Sequence, residues 1–493
     1  MVTVPKESPF ASLGDFVSKL EKLGELKRVK AEVSVDQEIA EILRKLVRDG
    51  GPAVIFENVK GYHIPVLGNA FGSLERMKIA LQTENFEDLG KKITDMLTMP
   101  IPSGLLGKVK ALPKLGEISG YAPKIVRKGA VQEVSMVEDS SLLSLPATKS
   151  WPKDGGRFIT FGLVMTKNQE SGHRNMGLYR IQIFDEKTAV IHWQPHKRGA
   201  EHFRVARAER KEMDVAIIIG ADPFSIFAGI APVPETMDKV LFAGIMRGKG
   251  IDLVKCKTVD LEVPANGEIV LEGKVKPDDF RIEGPFGDHT GYYTPPEPYP
   301  VFHLSAITSR KNPLYLTTVV GKPVMEDAFI GKVIERSFLP MMKFFHPEIV
   351  DFSMPPAGWF QGLAIASIKK TYPGQAKKVM FGLWSLGQMS LTKMIVVVDS
   401  DIDIHDSNEM IWAITTRTDP KRDILILENT PTDTLDPSSP VVNLGSKLGI
   451  DATIKWKEEG LDRGSLDLAT PDERIESLVR KRWAEYFSNG DNQ

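Results

Sequence analysis

The sequence predicts an α/β (α+β) multidomain protein in which a central split β-barrel domain is flanked by N-terminal and C-terminal α/β regions. Three observations lead to this fold class. The chain of 493 residues is longer than one ordinary core requires. Its middle part contains many short β-like segments, and helix-like and strand-like patterns alternate on either side of it. We place the domains at residues 1–123, 124–325 and 326–493.

The N-terminal region begins with a helix pattern that is followed by a strand pattern. Ser34 and Gln37 form a capping-box pattern ahead of apolar residues at helical spacing, and Gly50-Gly51 follows as a stop. The apolar run at 53–58 then predicts a strand. A proline- and glycine-rich stretch at 100–123 favours a domain boundary there.

The central region predicts a mostly antiparallel sheet or split barrel, because long helical periodicity is nearly absent from it. Its β-like segments lie at 159–166, 177–184, 189–193, 215–220, 301–307 and 314–320. We expect the ligand site in this region.

The C-terminal region returns to an α/β pattern. Strand-like runs at 394–398 and 424–427 are separated by a predicted helix at 408–416. Thr470 and Pro471 then predict the start of an amphipathic helix that packs on a neighbour, within the chain or across subunits. We therefore expect this region to serve oligomerisation.

Composition and missing motifs exclude several classes of function. A net charge of -2 gives no overall field for nucleic acid or an anionic membrane, so we expect at most peripheral membrane association. The sequence lacks a secretory signal and any run near the roughly 20 apolar residues of a membrane span, which favours the cytoplasm. The single cysteine, Cys256, excludes intrachain disulfides and cysteine-based metal cages. Nucleotide-binding P-loop, serine-hydrolase and zinc-protease motifs are absent.

A group of polar residues in the central region could carry chemistry. Arg180 lies in an apolar strand pattern, so its guanidinium needs a carboxylate partner or an anionic ligand. Glu283 and Asp288 flank a bend rich in glycine and proline, which can aim both carboxylates into one pocket. One would stay ionised while the other delivers a proton. The competing interpretation is a structural ion pair on a rigid turn.

The segment at 283–293, Glu-Gly-Pro-Phe-Gly-Asp-His-Thr-Gly-Tyr-Tyr, resembles the signature of the UbiD decarboxylases. Further segments resemble the family in the family's order, at 220–223, 261–265, 269–273, 411–417 and 444–449. The similarity covers nearly the whole chain. It implies a prenylated FMN cofactor, made by a separate flavin prenyltransferase and bound in the central split barrel. It also implies a homo-oligomer, from dimer to hexamer.

The resemblance also implies roles for single residues. Arg180 would hold the substrate carboxylate, Glu283 would position Arg180, and Asp288 would protonate the carbon left when CO2 departs. Asn175 and His196 match positions that bind a divalent ion, typically Mn2+ with K+ as an optional second ion, at the flavin phosphate. The residues that match cofactor-contacting stretches are Leu178, Tyr179, Arg180, His192, Trp193, Gln194, Lys197, Arg198 and Lys393.

One position departs from the family pattern. Where the family normally offers a metal-binding glutamate, this chain has Lys239. We take Glu235 as the third metal ligand. Asp238 is an alternative ligand, and Lys239 could instead neutralise the phosphate as a point charge.

The resemblance implies non-oxidative, prenylated-FMN-dependent decarboxylation of an aromatic or α,β-unsaturated acid, with 3-polyprenyl-4-hydroxybenzoate of ubiquinone biosynthesis as the expected substrate. Another acid, such as a phenolic acid or anhydromevalonate phosphate, is an alternative. A flavin-binding oxidoreductase is a second alternative. Glu283 and Asp288 favour the decarboxylase, because a flavin carrier has no need of a proton donor beside an arginine.

Overall fold

The computed structural model describes residues 8–97, 119–234, 236–461 and 468–487. In the N-terminal region a small sheet is covered by helices. Its strands are β1 (Leu26–Val33), β2 (Ala53–Val59) and β3 (Val66–Gly68), and its helices are Leu13–Lys22, Glu38–Arg48, Leu74–Leu81 and Phe86–Leu97. Strands β1 and β2 pair in parallel, and β3 pairs antiparallel with β2.

Two details of the N-terminal region differ from the sequence prediction. The helix predicted from Ser34 begins only at Glu38, and the Glu38 carboxylate accepts a hydrogen bond from the Ser34 backbone N–H at 2.7 Å. The expected barrel strand at 314–320 is also wrong. Only Tyr315–Leu316 form a strand (β16), and this strand pairs in parallel with β3 in the N-terminal sheet.

The central region is built on a closed barrel of six antiparallel strands, which confirms the predicted split barrel. In barrel order the strands are β12 (Ile269–Glu283), β9 (Met213–Ile219), β6 (Arg157–Lys167), β7 (Arg174–Ile183), β8 (Thr188–Ile191) and β15 (Glu297–Ser309). The barrel closes where β15 pairs with β12. Short strands around it are β4 (Lys124–Val126), β5 (Val134–Met136), β10 (Asp252–Lys255), β11 (Glu262–Pro264), β13 (Phe286–Gly287) and β14 (Tyr293–Thr294).

The central region also contains three helices that the sequence analysis did not predict. Helices Arg198–Ala208, Pro223–Ile230 and Lys239–Arg247 lie against the barrel strands. Each is short, and nearly every residue of Pro223–Ile230 is buried. A helix buried on all sides has no polar face, so its sequence carries no amphipathic period to detect.

The C-terminal region contains a five-stranded mixed sheet with the predicted strands and helix in place. Its strands are β17 (Ile349–Ser353), β18 (Leu363–Ile368), β19 (Met394–Asp399), β20 (Ile424–Pro431) and β21 (Leu444–Ala452), in the order β17-β18-β19-β21-β20. Its helices are Glu326–Phe345, Gln375–Trp384 and Ser407–Arg417. The last helix, Glu473–Phe487, begins after Asp472, which accepts a hydrogen bond from Arg474 N at 2.8 Å, and not at Thr470 as predicted. None of its residues is buried.

The long helix Glu326–Phe345 ties the regions together. Its first residue, Glu326, is buried and accepts hydrogen bonds from Phe71 N at 2.7 Å and from Thr318 Oγ1 at 2.6 Å. Further along, a Cβ at Gly90 would lie 2.2 Å from the Ser337 carbonyl oxygen, so the glycine permits close packing of two helices. Among the described helices, none combines the length and the apolar character needed to cross a lipid bilayer.

Candidate active site

Arg180 lies at the centre of the candidate site, on β7. Its Nε and Nη2 donate to the two carboxylate oxygens of Glu283 at 2.7 and 3.0 Å, and its Nη1 contacts Asp288 Oδ2. Thr294 Oγ1 accepts a further hydrogen bond from Nη2 at 3.0 Å, and the guanidinium carbon lies 4.6 Å from the Phe286 ring centre. The bidentate pair fixes the plane of the guanidinium.

The backbone bend after β12 places the two carboxylates on the same guanidinium. Gly284 has a φ of +93°, a conformation that side-chain-bearing residues rarely adopt, and its N–H donates to Gln182 Oε1 at 2.7 Å. Gly287 N donates to Asp154 Oδ1 at 2.9 Å, and a Cβ at Gly287 would lie 2.3 Å from the Trp151 ring. The predicted close-approach bend is therefore present and is held by its neighbours.

Charge in this part of the site is balanced within the chain. Burial alone would raise the pKa of Glu283, but the charge of Arg180 and hydrogen bonds from His192 and Arg180 lower it to about 2. Burial, with the charge of Arg180, lowers the pKa of His192, so the ring is neutral and its Nδ1 lies 3.2 Å from Glu283 Oε2. Glu283 therefore stays ionised at neutral pH and holds Arg180 in place.

Three residues near the catalytic candidates were missed by the sequence analysis. His289 Nε2 lies 3.6 Å from Asp288 Oδ1, while its Nδ1 contacts Asp327 on the helix Glu326–Phe345. Asp433, buried on the loop after β20, accepts a hydrogen bond from Gln194 at 3.4 Å. The position of His289 within the 283–293 segment was an available signal. Asp327 and Asp433 reach the site only through the tertiary fold.

A cavity of about 140 Å3 adjoins these residues, between the barrel and the C-terminal region. Its walls are the 290–295 loop on one side and the 433–443 loop on the other. Lys393 stands close to the second loop, where its Nζ donates to Asp436 at 3.1 Å and contacts Ser438. Lys393 thus supports the cavity wall.

The residues predicted to contact a cofactor continue from Arg180 along β7 and into the segment after β8. Asn175 and Gly199 N each donate to the Tyr179 hydroxyl, at 3.4 and 3.3 Å, and the Trp193 ring meets the Tyr179 ring edge-on. Leu178 pairs with Leu163 across β6 and β7. Trp193 Nε1 and His192 Nε2 are buried and have no hydrogen-bond partner among the described residues.

Positive charge collects at the other end of the site. Arg198 donates to the Val233 carbonyl at 2.8 Å, and Lys239 Nζ donates to the Gly229 carbonyl at 2.7 Å. Burial and the nearby charges of Arg198 and Lys197 lower the pKa of Lys239 to about 7. A group of cations that face carbonyl oxygens and one another is suited to binding an anion such as a phosphate.

Two of the three predicted metal ligands, Asn175 and His196, lie within the described residues. Asn175 is buried and His196 is exposed, while Glu235 lies outside the described residues. Asp238 is not free to bind a metal: it caps the helix Lys239–Arg247 and accepts hydrogen bonds from Arg174 at 2.7 and 3.1 Å. Within the described ranges, no three His, Cys, Asp or Glu side chains converge on a metal position.

Models of the N-terminal, Rift-related and C-terminal domains of 3-octaprenyl-4-hydroxybenzoate carboxy-lyase match residues 17–93, 124–323 and 328–452. An uncharacterized protein of Archaeoglobus fulgidus is 50% identical over 97% of this chain and 98% of its own length. One from Aquifex aeolicus is 47% identical over 96% and 98%.

Solved structures match over the same extent. The vanillic acid decarboxylase of Sedimentibacter hydroxybenzoicus in closed form has a TM-score of 0.83 and 29% identity, over 96% of this chain and 99% of that one. The UbiD-class enzyme HmfF from Pelotomaculum thermopropionicum in complex with FMN has a TM-score of 0.77 and 30% identity, over 97% and 100%. An evolved dimeric form of HmfF, in complex with prFMN, matches with a TM-score of 0.77 and 29% identity over 96% and 100%.

Proposed function

The chain belongs to the UbiD family of carboxy-lyases, and we propose that it decarboxylates an aromatic or α,β-unsaturated acid with prenylated FMN at Arg180, Glu283 and Asp288. The observation that carries this proposal is the buried guanidinium of Arg180 between two carboxylates. An oxidoreductase that only carries a flavin has no use for a carboxyl group held at this position.

Arg180, Glu283 and Asp288 have different roles in the proposed reaction. Glu283 stays ionised and orients Arg180, whose guanidinium binds the carboxylate of the substrate. Asp288, 3% exposed, delivers a proton to the carbon that loses CO2. Prenylated FMN, when bound, supplies the electron sink that decarboxylation requires. The protein's part is to orient the acid and to keep water from the reacting carbon.

The residues present fit a flavin phosphate and its ring system. Lys197, Arg198 and Lys239 supply positive charge for the phosphate. The unpaired Trp193 Nε1–H suits an acceptor atom of the ligand, and His192 Nε2, which is unprotonated when Nδ1–H donates to Glu283, suits a donor. We propose that Mn2+, with K+ as an optional second ion, binds through Asn175, His196 and Glu235. The commitment of Asp238 to Arg174 supports Glu235 as the carboxylate ligand.

We propose one preferred substrate and two alternatives. The sequence resemblance favours 3-polyprenyl-4-hydroxybenzoate, as an intermediate of ubiquinone biosynthesis. A phenolic acid without such a tail, or anhydromevalonate phosphate, is the alternative substrate. We also propose a cytoplasmic homo-oligomer that receives its cofactor from a flavin prenyltransferase.

The test is coexpression with a flavin prenyltransferase, followed by a visible spectrum and CO2 release from a panel of acids. The panel contains 4-hydroxybenzoate with and without a prenyl tail, vanillic acid and anhydromevalonate phosphate. Release from one member together with a bound flavin is expected. A purified protein that binds no flavin and releases no CO2 from any of them contradicts the proposal.

Asp288→Asn tests the assignment of the proton donor. The amide keeps the shape of the side chain but is not a carboxylic acid, so kcat should fall by roughly 100-fold or more while the flavin stays bound. The matched control is Asp278→Asn, because the Asp278 side chain is 83% exposed. Turnover of Asp288→Asn within about tenfold of the unmodified enzyme would show that another group donates the proton.

A further inference from the structure

We propose that His289, held by Asp327, returns to Asp288 the proton that Asp288 gives up in each turnover. This inference rests on the proposed function, because it requires Asp288 to donate a proton to the product. It assigns His289 and Asp327 as positioning residues that act through Asp288.

The two carboxylate oxygens of Asp288 face different partners. Oδ2 contacts the Arg180 guanidinium, while Oδ1 accepts a hydrogen bond from the His289 backbone N–H at 2.7 Å and lies 3.6 Å from His289 Nε2. Arginine cannot release a proton in a protein, since its pKa lies above about 12. Among the described ion-pair partners of Asp288, the imidazole is therefore the group able to exchange a proton with it.

His289 also connects a buried group with solvent. Asp288 is 3% exposed, whereas the side chain of His289 is 34% exposed. The ring is oriented from its far side, because Nδ1 contacts Asp327 Oδ2 and the ring edge meets Phe360. With Nδ1 committed to Asp327, Nε2 is the nitrogen left to serve Asp288.

The charges around the ring keep it protonated. Burial alone would lower the pKa of His289, but Asp327 on the helix, Asp288 on its own loop and Asp433 on the C-terminal loop raise it to about 9. The imidazolium is therefore present below about pH 9 and is lost as the pH rises through that value. At neutral pH both ring nitrogens carry protons.

The proton transfer balances without any further reagent. After Asp288 has protonated the product carbon, it is a carboxylate. The Nε2 proton of His289 moves to Asp288 Oδ1, which leaves a neutral ring whose Nδ1–H stays on the ring and remains hydrogen-bonded to Asp327. Nε2 then takes a proton from solvent, and this proton replaces the one that the product carbon consumed. Closing the 3.6 Å separation to hydrogen-bond distance needs a shift of about half an ångström, and such contacts tighten when substrate binds.

The competing role is structural: the link from His289 to Asp327 could simply anchor the loop on the helix. Three variants separate the two roles, namely His289→Gln, His289→Ala and Asp327→Asn. His303→Gln is the matched control, since His303 pairs with Asp279 at 2.6 Å on the barrel wall with a similar exposure of 30%. Each protein is compared for flavin content, Tm, kcat and KM between pH 6 and 10.

We expect kcat of His289→Gln to fall by about tenfold or more, with little change in KM or Tm. Free imidazole should restore His289→Ala in proportion to the imidazolium present. The fall of kcat above about pH 9 in the unmodified enzyme should move to lower pH in Asp327→Asn, because the imidazolium loses a stabilising charge. His303→Gln should behave as the unmodified enzyme.

A second readout does not depend on activity. NMR titration of the nine histidines, assigned with His289→Gln, should find one group near pH 9 that shifts downward in Asp327→Asn. Unchanged kcat in His289→Gln overturns the inference. So does a loss of kcat in His289→Ala that imidazole does not restore and that is accompanied by a lower Tm. If the titration is as expected but no acid is decarboxylated, the proposed function has failed instead.

Discussion

The two ends of the candidate site balance charge in different ways. At one end, Arg180 is paired with Glu283 and Asp288, so the charges are satisfied within the chain. At the other end, Lys239 has two cations, Arg198 and Lys197, as the charged neighbours that shift its pKa. The first end is organised before any ligand arrives, and the second gains most when an anion binds.

The largest effect is expected from Arg180→Met. It removes the guanidinium that we propose binds the substrate carboxylate, and it leaves Glu283, which is fully buried, without its main partner. We expect kcat to fall by roughly 1000-fold or more and the free energy of unfolding to fall by about 3–5 kcal/mol. CO2 release and urea denaturation measure the two. Arg281→Met, on the neighbouring stretch and 43% exposed, is the control and should change the unfolding free energy by less than about 1 kcal/mol.

Glu283→Gln should show a pH-dependent loss of stability. The pKa of Glu283 falls from 4.5 to about 2 on folding, so its ionised form stabilises the protein above about pH 4.5, by about 3 kcal/mol. This contribution is lost as the pH falls from 4.5 through 2. Denaturation curves of both proteins should therefore differ most near neutral pH and converge in acid. A constant difference across that range would show that the ion pair with Arg180 is not its source.

Lys239 tests the end at which Lys197, Arg198 and Lys239 gather. Lys239→Met removes one cation, so FMN should bind roughly 10-fold more weakly while the protein stays folded, because a hydrogen bond to a charged group contributes about 1.5–3 kcal/mol. Lys211→Met, at a side chain 63% exposed, is the control. Fluorescence titration with FMN, with and without Mn2+, measures both.

Lys239→Glu is a second variant that tests the role of Lys239 in FMN binding. It places a carboxylate beside Lys197 and Arg198, and FMN binding should then depend more strongly on Mn2+ than in the unmodified chain. If Lys239→Met binds FMN as tightly as the unmodified protein, Lys239 does not serve the phosphate.

The sequence was most informative where partners lie close together along the chain. Glu283 and Asp288 share one short bend, so a single motif indicated both. The barrel strands were also predictable, because their apolar runs are bounded by turn residues. The pairing of β16 with β3 could not be predicted, because the sequence of a two-residue strand does not indicate which sheet it joins. Asp327 and Asp433 were not predicted because their partners are distant in the sequence. Asp327 lies 38 positions from His289, and Asp433 lies 239 positions from Gln194.

The end of the candidate site that contains Lys239 was harder to predict than the end that contains Arg180. Asp238 is as good a metal ligand as Glu235 in the sequence, and only the structure reveals that Arg174 and the helix Lys239–Arg247 occupy it. From the sequence alone, an aspartate that caps a helix cannot be told from one that binds a metal. The structure distinguishes them, because it shows whether the carboxylate oxygens already accept hydrogen bonds.

The first turn of the helix Glu326–Phe345 limits how regions of this protein can be exchanged with those of a relative. Two adjacent residues there serve different regions, because Glu326 accepts a hydrogen bond from Phe71 in the N-terminal region while Asp327 holds His289 on the loop that carries Asp288. The N-terminal region is thus not a detachable module. A chimera that takes residues 8–97 from a relative must also carry a matching helix start, or the exchange will disturb the loop that carries Asp288.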